Sequence, residues 1–355
     1  MADSALFESF PELRGRIPHR PFLAGPTPVE PLPLPGLPDL WVKRDDRCTP
    51  LYGGNKPRKL EFLLGEALAR GARRVFTTGG IGTHHGLATA ILARTGGIAT
   101  TLVLVDQPVT DEVRESLRLF AAFGADVIDA RSVLGAVARG VPELLRSRLR
   151  GERPYVVPTG GSGATGNLGL VSAALELAGQ IRGGELPEPA AIFLPIGSGG
   201  SVAGVTLGLR LAGLAIPVVG VLVTDILPPS PSRLARLARA TLRTLRRADP
   251  AIPELPLRAA DFDVAREQIG PGYGAATPAA REAVATARGA GLALETTYGA
   301  KCFAEIVARA ARGTLPRGPV LFWHTFNAVD VAAHAPPPRT ESLPPRLARI
   351  AAGGA

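Results

Sequence analysis

Apolar positions recur along most of the chain with two alternating periods. From Lys56 the spacing is helical: Leu60, Leu63, Leu64, Ala67 and Leu68 fall on one face, and the run ends near Gly71. The short apolar runs "RRVFTT", "ATTLVLV", "ADVIDA" and "PYVVP" read as strands. Helices are predicted between them at about 84–94, over "TDEVRESLRLFAAFG" and at 132–150. After a Gly-rich loop at 159–163 come helix 166–182, strand "AAIFLPIG", helix 200–213, strand "PVVGVLVT" and a long helix at 230–247. Helices at 277–289 and 300–313 and the strand "PVLFWHT" follow. Strands alternating with helices of this length predict an α/β fold built on mainly parallel sheets flanked by helices. "LWVKRDD" reads as a further strand. Ahead of it, residues 1–38 are rich in proline and read as an extended arm rather than a helix. The end, "PPPRTESLPPRLARIAAGGA", reads as a loosely held tail.

At 355 residues the chain is long enough for two domains with sizeable cores. No apolar run reaches the roughly 20 residues of a membrane helix. The N-terminus lacks a basic stretch followed by an apolar core, so no secretory signal is expected. Cys48 and Cys302 are too few for a disulfide framework, and no Cys/His cluster has zinc spacing; no metal is expected, and a reducing cytoplasm is the default. The formal charge is +9. Only Arg233, Arg236, Arg239, Arg243, Arg246 and Arg247 cluster, at helical spacing with leucines between them, which reads as a solvated helix face. Few aromatics for base stacking lie nearby, so nucleic acid is not an expected partner, and without a spanning apolar run neither is a membrane.

The balance of lysine to arginine says more. The chain holds 36 arginines and four lysines, Lys43, Lys56, Lys59 and Lys301. A compositional pressure that swaps lysine for arginine wherever only charge matters would leave lysines where a guanidinium cannot serve. Arginine, with a pKa above about 12, is no practical nucleophile, whereas lysine starts near about 10.4 and is lowered by burial.

Four Gly-rich segments follow strands: "YGGNK" (52–56), "TGGIGTHHG" (78–86), "PTGGSG" (158–163) and "PIGSGGSVAG" (195–204). Glycine after a strand lets the backbone turn sharply and approach a ligand. The loop at 197–201 precedes a helix, whose exposed N–H groups and dipole suit a phosphate. It is not a Walker A, because no Gly-Lys-Ser/Thr closes it. As a dinucleotide fingerprint it is imperfect, with Val202 at the third glycine position; Asp225 after the next strand keeps nicotinamide binding as a minor alternative. A phosphate loop and a retained lysine together suit pyridoxal 5′-phosphate, a phosphorylated aldehyde that a lysine amine holds as an imine and that stores electrons released at an amino acid's Cα. Lys56 is the candidate amine.

The string "VKRDD...YGGNKPRKLEFLLGEA" resembles the signature of the 1-aminocyclopropane-1-carboxylate deaminase/D-cysteine desulfhydrase family, within the tryptophan-synthase-β-like, fold type II group of pyridoxal-phosphate enzymes. The resemblance runs from about residue 25 to 330 and takes in "GGIGTHHGLATA", "PTGGSGATGNLG", "PIGSGGSVAG", "GPGYG", "ETTYGAKCF" and "LFWHT". It implies that Lys56 forms the imine with Asn55 beside it, and that Lys59 reaches the cofactor phosphate. Gly197, Ser198, Gly199, Gly200 and Ser201 would cradle that phosphate. Thr83 stands where the family commonly has a serine that binds the substrate carboxylate or acts in catalysis. Tyr273 and Tyr298 match two active-site tyrosines, and Thr325 matches the desulfhydrase-like pattern where deaminases commonly have leucine.

Three departures bear on the chemistry. His84 replaces an asparagine expected to hydrogen-bond the cofactor's ring oxygen. Gly299 stands where deaminases carry a glutamate close to the pyridine nitrogen, which argues against cyclopropane opening. Phe326 and Asn327 replace a pair of glycines, adding bulk at the cofactor's edge. The resemblance implies a pyridoxal-phosphate lyase or deaminase acting on a small amino acid, in its most concrete form α,β-elimination from a D-amino acid such as D-cysteine. An aminocyclopropane-carboxylate deaminase, another lyase or a racemase of the same fold stays open, as does a relative that binds cofactor or metabolite without turnover. The expected architecture is a large cofactor-binding domain of 1–58 and 158–335, a smaller inserted α/β domain of 59–157 and a tail of 336–355, with the site in the cleft and the enzyme a homodimer.

Overall fold

The computed structural model describes residues 4–37, 39–226 and 228–354. Its strands are β1 Val29–Pro31, β2 Leu40–Lys43, β3 Arg74–Gly80, β4 Ala99–Val105, β5 Asp126–Arg131, β6 Tyr155–Val156, β7 Ala191–Ile196, β8 Val218–Leu222, β9 Asp263–Ala265 and β10 Val320–Trp323. Its α-helices are α1 Ala5–Ser9, α2 Asn55–Ala69, α3 His84–Arg94, α4 Asp111–Ala122, α5 Val133–Leu149, α6 Leu168–Arg182, α7 Gly200–Leu211, α8 Pro231–Ala248, α9 Pro278–Gly289, α10 Gly299–Ala311 and α11 Pro345–Ala351. The chain divides into two compact units. One holds the chain up to Ile17, Pro21–Lys59 and Ser162–Ala328; the other holds Pro18–Arg20, Leu60–Gly161 and the chain from Val329 on.

The first unit is built on a six-stranded sheet in the order β1-β2-β10-β7-β8-β9. Only β1 runs antiparallel to its neighbour; the other pairs are parallel. The central strands β7 ("AIFLPI") and β10 ("VLFW") are buried along their whole length, as strands covered on both faces must be. Helices α6 and α7 lie against each other in the same direction. Gly204 faces Leu170 and Gly208 faces Ala174, each so close that a Cβ on the glycine would come within 2.6 Å of the neighbour's Cβ. The two N-termini therefore start side by side. On α8, Leu234, Ala238, Leu242 and Leu245 are buried while Arg233, Arg236, Arg239, Arg243 and Arg247 stay exposed, which is the solvated face its spacing suggests.

A charged cluster lies buried in the same unit. Lys43 Nζ donates to Glu176 (2.5 Å), to Gln180 (2.6 Å) and to the Thr27 carbonyl (2.7 Å). Arg58 forks between Asp45 (2.7 Å) and Glu176 (2.9 Å), and the Trp323 indole donates to Asp45 at 2.7 Å. This ties β2, β10, α6 and the first turn of α2 together. Burial alone would raise the Glu176 carboxyl; Arg58 and Lys43 outweigh it and hold it at about 2.

The second unit carries a parallel sheet in the order β5-β4-β3-β6, with Leu102 and Leu104 of β4 fully buried. The C-terminal segment is not the loose tail its composition suggests. Helix α11 packs on α4, burying Leu347, Ile350 and Ala351 at helical spacing, and Arg346 pairs with Asp106 and Asp129 at 2.6 Å each. The N-terminal arm also departs from a purely extended reading. It contains α1, buries Leu6 and Leu13 completely, and supplies β1 to the sheet edge. Short apolar pairs such as Leu6 and Phe7 anchor it where proline content alone predicts only extension.

Candidate functional site

All four lysines lie inward, and each does something different. Lys43 sits in the charged cluster. Lys301 donates to the carbonyls of Ile269 (2.7 Å) and Gly272 (3.3 Å), fixing the loop that carries Tyr273. Lys59 is buried and donates to the Ser162 hydroxyl at 3.1 Å. Lys56 alone of the four is partly exposed, and its Nζ donates to Asn55 Oδ1 at 2.7 Å.

Lys56 and Lys59 sit one helical turn apart at the start of α2, so both side chains reach the same side. Their contacts lead to the two flanks of the first turn of α7. On one flank, Asn55 passes from Lys56 to Ser201, donating its Nδ2 to Oγ at 2.9 Å. On the other, Ser162 Oγ accepts from Lys59, shares a hydrogen with Ser198 Oγ at 2.7 Å and accepts the Gly200 N–H at 3.2 Å. Gly199 is the N-cap of α7 in the left-handed region (φ 89°), and a Cβ there would strike Leu234 at 2.5 Å. At Gly200 a Cβ would lie 2.3 Å from Ser162 Oγ and 2.4 Å from Asn167 Oδ1, so glycine is what leaves the turn open to these polar groups.

Burial lowers both lysines. Lys56 falls to about 8, with the Glu295 carboxylate partly offsetting the effect; Lys59 falls further, because the Lys56 charge adds to burial. A dianion between the start of α7 and these ammoniums would reverse that penalty. The donors gathered there are hydroxyls, N–H groups and ammoniums, which fits the phosphate of pyridoxal 5′-phosphate, and Lys56 is an amine with enough unprotonated fraction near neutral pH to hold its aldehyde.

Two phenols flank the loop. Tyr273 and Tyr298 share a hydrogen bond of 2.7 Å with rings edge to face at 5.9 Å, and the Tyr298 ring lies 3.2 Å from where a Cβ on Gly197 would stand. Burial raises both phenols, so they are protonated at neutral pH. Glu295 was not evident from the sequence. Its buried carboxylate accepts N–H groups from Thr297 (2.6 Å), Tyr298 (2.9 Å) and Gly299 (2.5 Å), crowning the start of α10. A Cβ on Gly299 would lie 3.4 Å from its Oε1. Asp225 accepts the Tyr273 N–H at 2.9 Å and thus braces the tyrosine loop.

The turn before Lys56 is fixed by the segment after β10. The Thr325 carbonyl accepts the Asn55 N–H at 3.3 Å, and Asn327 Oδ1 accepts the Gly53 N–H at 2.5 Å. Phe326 stacks on His324, with centroids 6.3 Å apart, and His324 stacks in turn on Phe322. His324 donates from Nε2 to the Ala293 carbonyl at 2.8 Å, and burial lowers it to about 4, below its ordinary value near 6.5. The unfolded chain takes up this proton first, so the stability is complete above pH about 6.5 and is lost as pH falls toward 4. Urea unfolding of wild type is expected to lose about 2 kcal/mol more than His324→Gln between pH 7.5 and pH 5; equal losses would show that His324 does not set the slope.

Thr83 and His84 belong to the second unit. Thr83 is the N-cap of α3, accepting the Gly86 N–H at 3.2 Å; His84 opens the helix, half-buried. Ser162, Asn167 and Glu295 are the site residues that motif reading missed. Serine and asparagine in a Gly-rich stretch look like turn residues, and Glu295 looks like any acid before a helix. Among the described residues no group of His, Cys, Asp and Glu could hold a metal, and no helix is long and apolar enough to cross a membrane.

Residues 21–325 match the family described as Pyridoxal-phosphate dependent enzyme. Nocardicin C-9′ epimerase of Nocardia uniformis subsp. tsuyamanensis is 34% identical, over 91% of this chain and 98% of its own. D-cysteine desulfhydrase of Salmonella typhimurium is 31% identical, over 90% of this chain and 97% of its own. A crystal structure of an ACC deaminase homologue superposes with a TM-score of 0.75 at 28% identity, covering 93% of this chain and 96% of that one. With a lysine amine and an anion cradle joined through Asn55 and α7, and with this match across most of its length, the chain belongs to the pyridoxal-phosphate dependent enzymes of fold type II.

Proposed function

We propose that the enzyme performs α,β-elimination on a small D-amino acid, with D-cysteine the leading substrate: D-cysteine and water give pyruvate, ammonia and hydrogen sulfide. The cofactor supplies the electron sink for the bond broken at Cα. The chain supplies the rest. Lys59, Ser162, Ser198, Ser201 and the α7 N-terminus would hold the phosphate. Lys56, steadied by Asn55, would anchor the cofactor and is the amine placed to take the Cα proton on Nζ. Tyr273 and Tyr298, protonated and paired, offer a proton to the departing sulfur. The observation that carries the reading is how these groups gather on one turn: Lys56, lowered to about 8, reaches the first turn of α7 through Asn55 and Ser201, and the hydrogen-bonded, half-buried pair Tyr273 and Tyr298 meets the same loop at Gly197. The desulfhydrase relative and the His-Thr pair at 324–325 favour sulfur elimination.

Epimerisation at Cα is the second reading, favoured by the epimerase relative and by the same phenol pair, which could return a proton to the carbon instead. A panel of D- and L-amino acids in D₂O separates the two. Elimination is expected to release keto acid, ammonia and sulfide from D-cysteine. Deuterium entering Cα with loss of optical purity and no keto acid would replace it with epimerisation.

The reading takes the enzyme as a cytoplasmic homodimer. Its support is two buried thiols, Cys48 and Cys302, and the exposed apolar residues Leu134, Val137, Val141 and Leu145 along α5. Sedimentation at the mass of one 36.9 kDa chain would remove the dimer.

A further inference from the structure

Asn167 occupies the N-cap position of α6, where asparagine is favoured because its side chain accepts a backbone N–H from the first turn. Here it makes no such bond. The residue has no exposed surface, and neither its Oδ1 nor its Nδ2 has a hydrogen-bond partner. A buried amide left unsatisfied on both atoms is costly, and folded proteins rarely keep one without a use. Its direction shows the use. Oδ1 comes within 2.4 Å of where a Cβ on Gly200 would stand, next to Ser162 Oγ at 2.3 Å from the same point. Ser162 is the hub that gathers Lys59, Ser198 and the Gly200 N–H. The amide thus faces the first turn of α7 from the start of α6, whose own N-terminus lies alongside. Its O and N ends are interchangeable by a half-turn of the side chain, so Nδ2 can face the turn as a donor.

We propose that Asn167 is a further phosphate-binding residue of this enzyme: its side-chain amide donates to an oxygen of the cofactor phosphate held at the start of α7. The inference rests on the cofactor reading and deepens it. It also explains why the amide is spent neither on capping α6 nor on any other protein group. The phosphate is the partner it is kept for.

The test compares pyridoxal 5′-phosphate with pyridoxal, which has the ring and aldehyde but no phosphate. Both are titrated by absorbance into the full-length protein after its cofactor has been stripped with hydroxylamine. Asn167→Leu is close in shape and removes the amide. It is expected to weaken pyridoxal 5′-phosphate by about ten- to a hundredfold, the effect of one hydrogen bond to a charged group, and to leave pyridoxal unchanged. Because the amide bonds nothing in the protein, the melting temperature of the stripped variant is expected to equal or exceed that of wild type. Asn167→Asp, closer still in shape, serves if the leucine variant does not fold. It places a negative charge at the anion site and is expected to weaken pyridoxal 5′-phosphate at least as much, again sparing pyridoxal. Equal loss for both ligands, or no loss for either, overturns the inference. Failure of wild type itself to bind pyridoxal 5′-phosphate would instead strike the cofactor reading.

Discussion

Lys56→Ala is expected to lower turnover by about 10³-fold or more, because one substitution removes both the anchor and the general base. The visible absorbance of lysine-bound cofactor should vanish with it. Noncovalent cofactor should still bind, since Lys59, Ser162 and the α7 turn are untouched by the change. The fold should survive as well: Lys56 Nζ bonds only its neighbour's Asn55 side chain among the contacts described above, and burial penalises its charge. Lys56→Arg should be no better than alanine, although it keeps a cation at the position. A guanidinium is protonated throughout the working range and forms no stable imine with the aldehyde. A variant with lysine removed that retains more than a tenth of wild-type turnover would show that another group carries the proton.

Glu176→Ala is expected to cost about 3–5 kcal/mol, because it leaves Lys43 and Arg58 buried with half their counter-charge gone. Set against a whole stability of about 5–15 kcal/mol, that is a large share. The carboxylate accepts from Lys43, from both terminal nitrogens of Arg58 and from the Thr27 N–H, so no single neighbour can replace it. Adding Lys43→Met to Glu176→Ala should recover part of the loss, since one stranded cation disappears. Denaturant unfolding measures both. If the single variant loses less than about 1 kcal/mol, water reaches the cluster and it is no buried ion network. Activity of the folded fraction should also fall, because Arg58 lies between Lys56 and Lys59 on the first turn of α2 and the cluster holds that turn in place.

The rare lysines all lie inward, but they differ in what they contact. Lys43 and Lys301 use the compact ammonium to meet several acceptors in tight enclosures, which a planar guanidinium would not fill in the same way. Lys56 differs by its partial exposure, which no sequence period reports. The strand–helix alternation was legible because each long helix has an apolar stripe and each central strand an apolar run. The element β9 was not, because three residues, Asp263, Val264 and Ala265, carry no period of their own and pair only because β8 offers an edge. The proposed anion cradle was half legible. Its glycines announced the turn, while Ser162 and Asn167 come from a separate Gly-rich stretch that only packing of α6 against α7 brings to the same point. Gly299 read alone suggested a missing acid; the backbone of 295–299 shows how Glu295 reaches the same helix start.

The most direct measurement is to reduce the cofactor-loaded enzyme with borohydride and map the modified peptide by mass spectrometry. One pyridoxyl group on Lys56, and none on Lys43, Lys59 or Lys301, is the predicted result. Label on any of those three, or a loaded enzyme that yields no labelled lysine at all, would contradict the assignment on which the proposed chemistry stands.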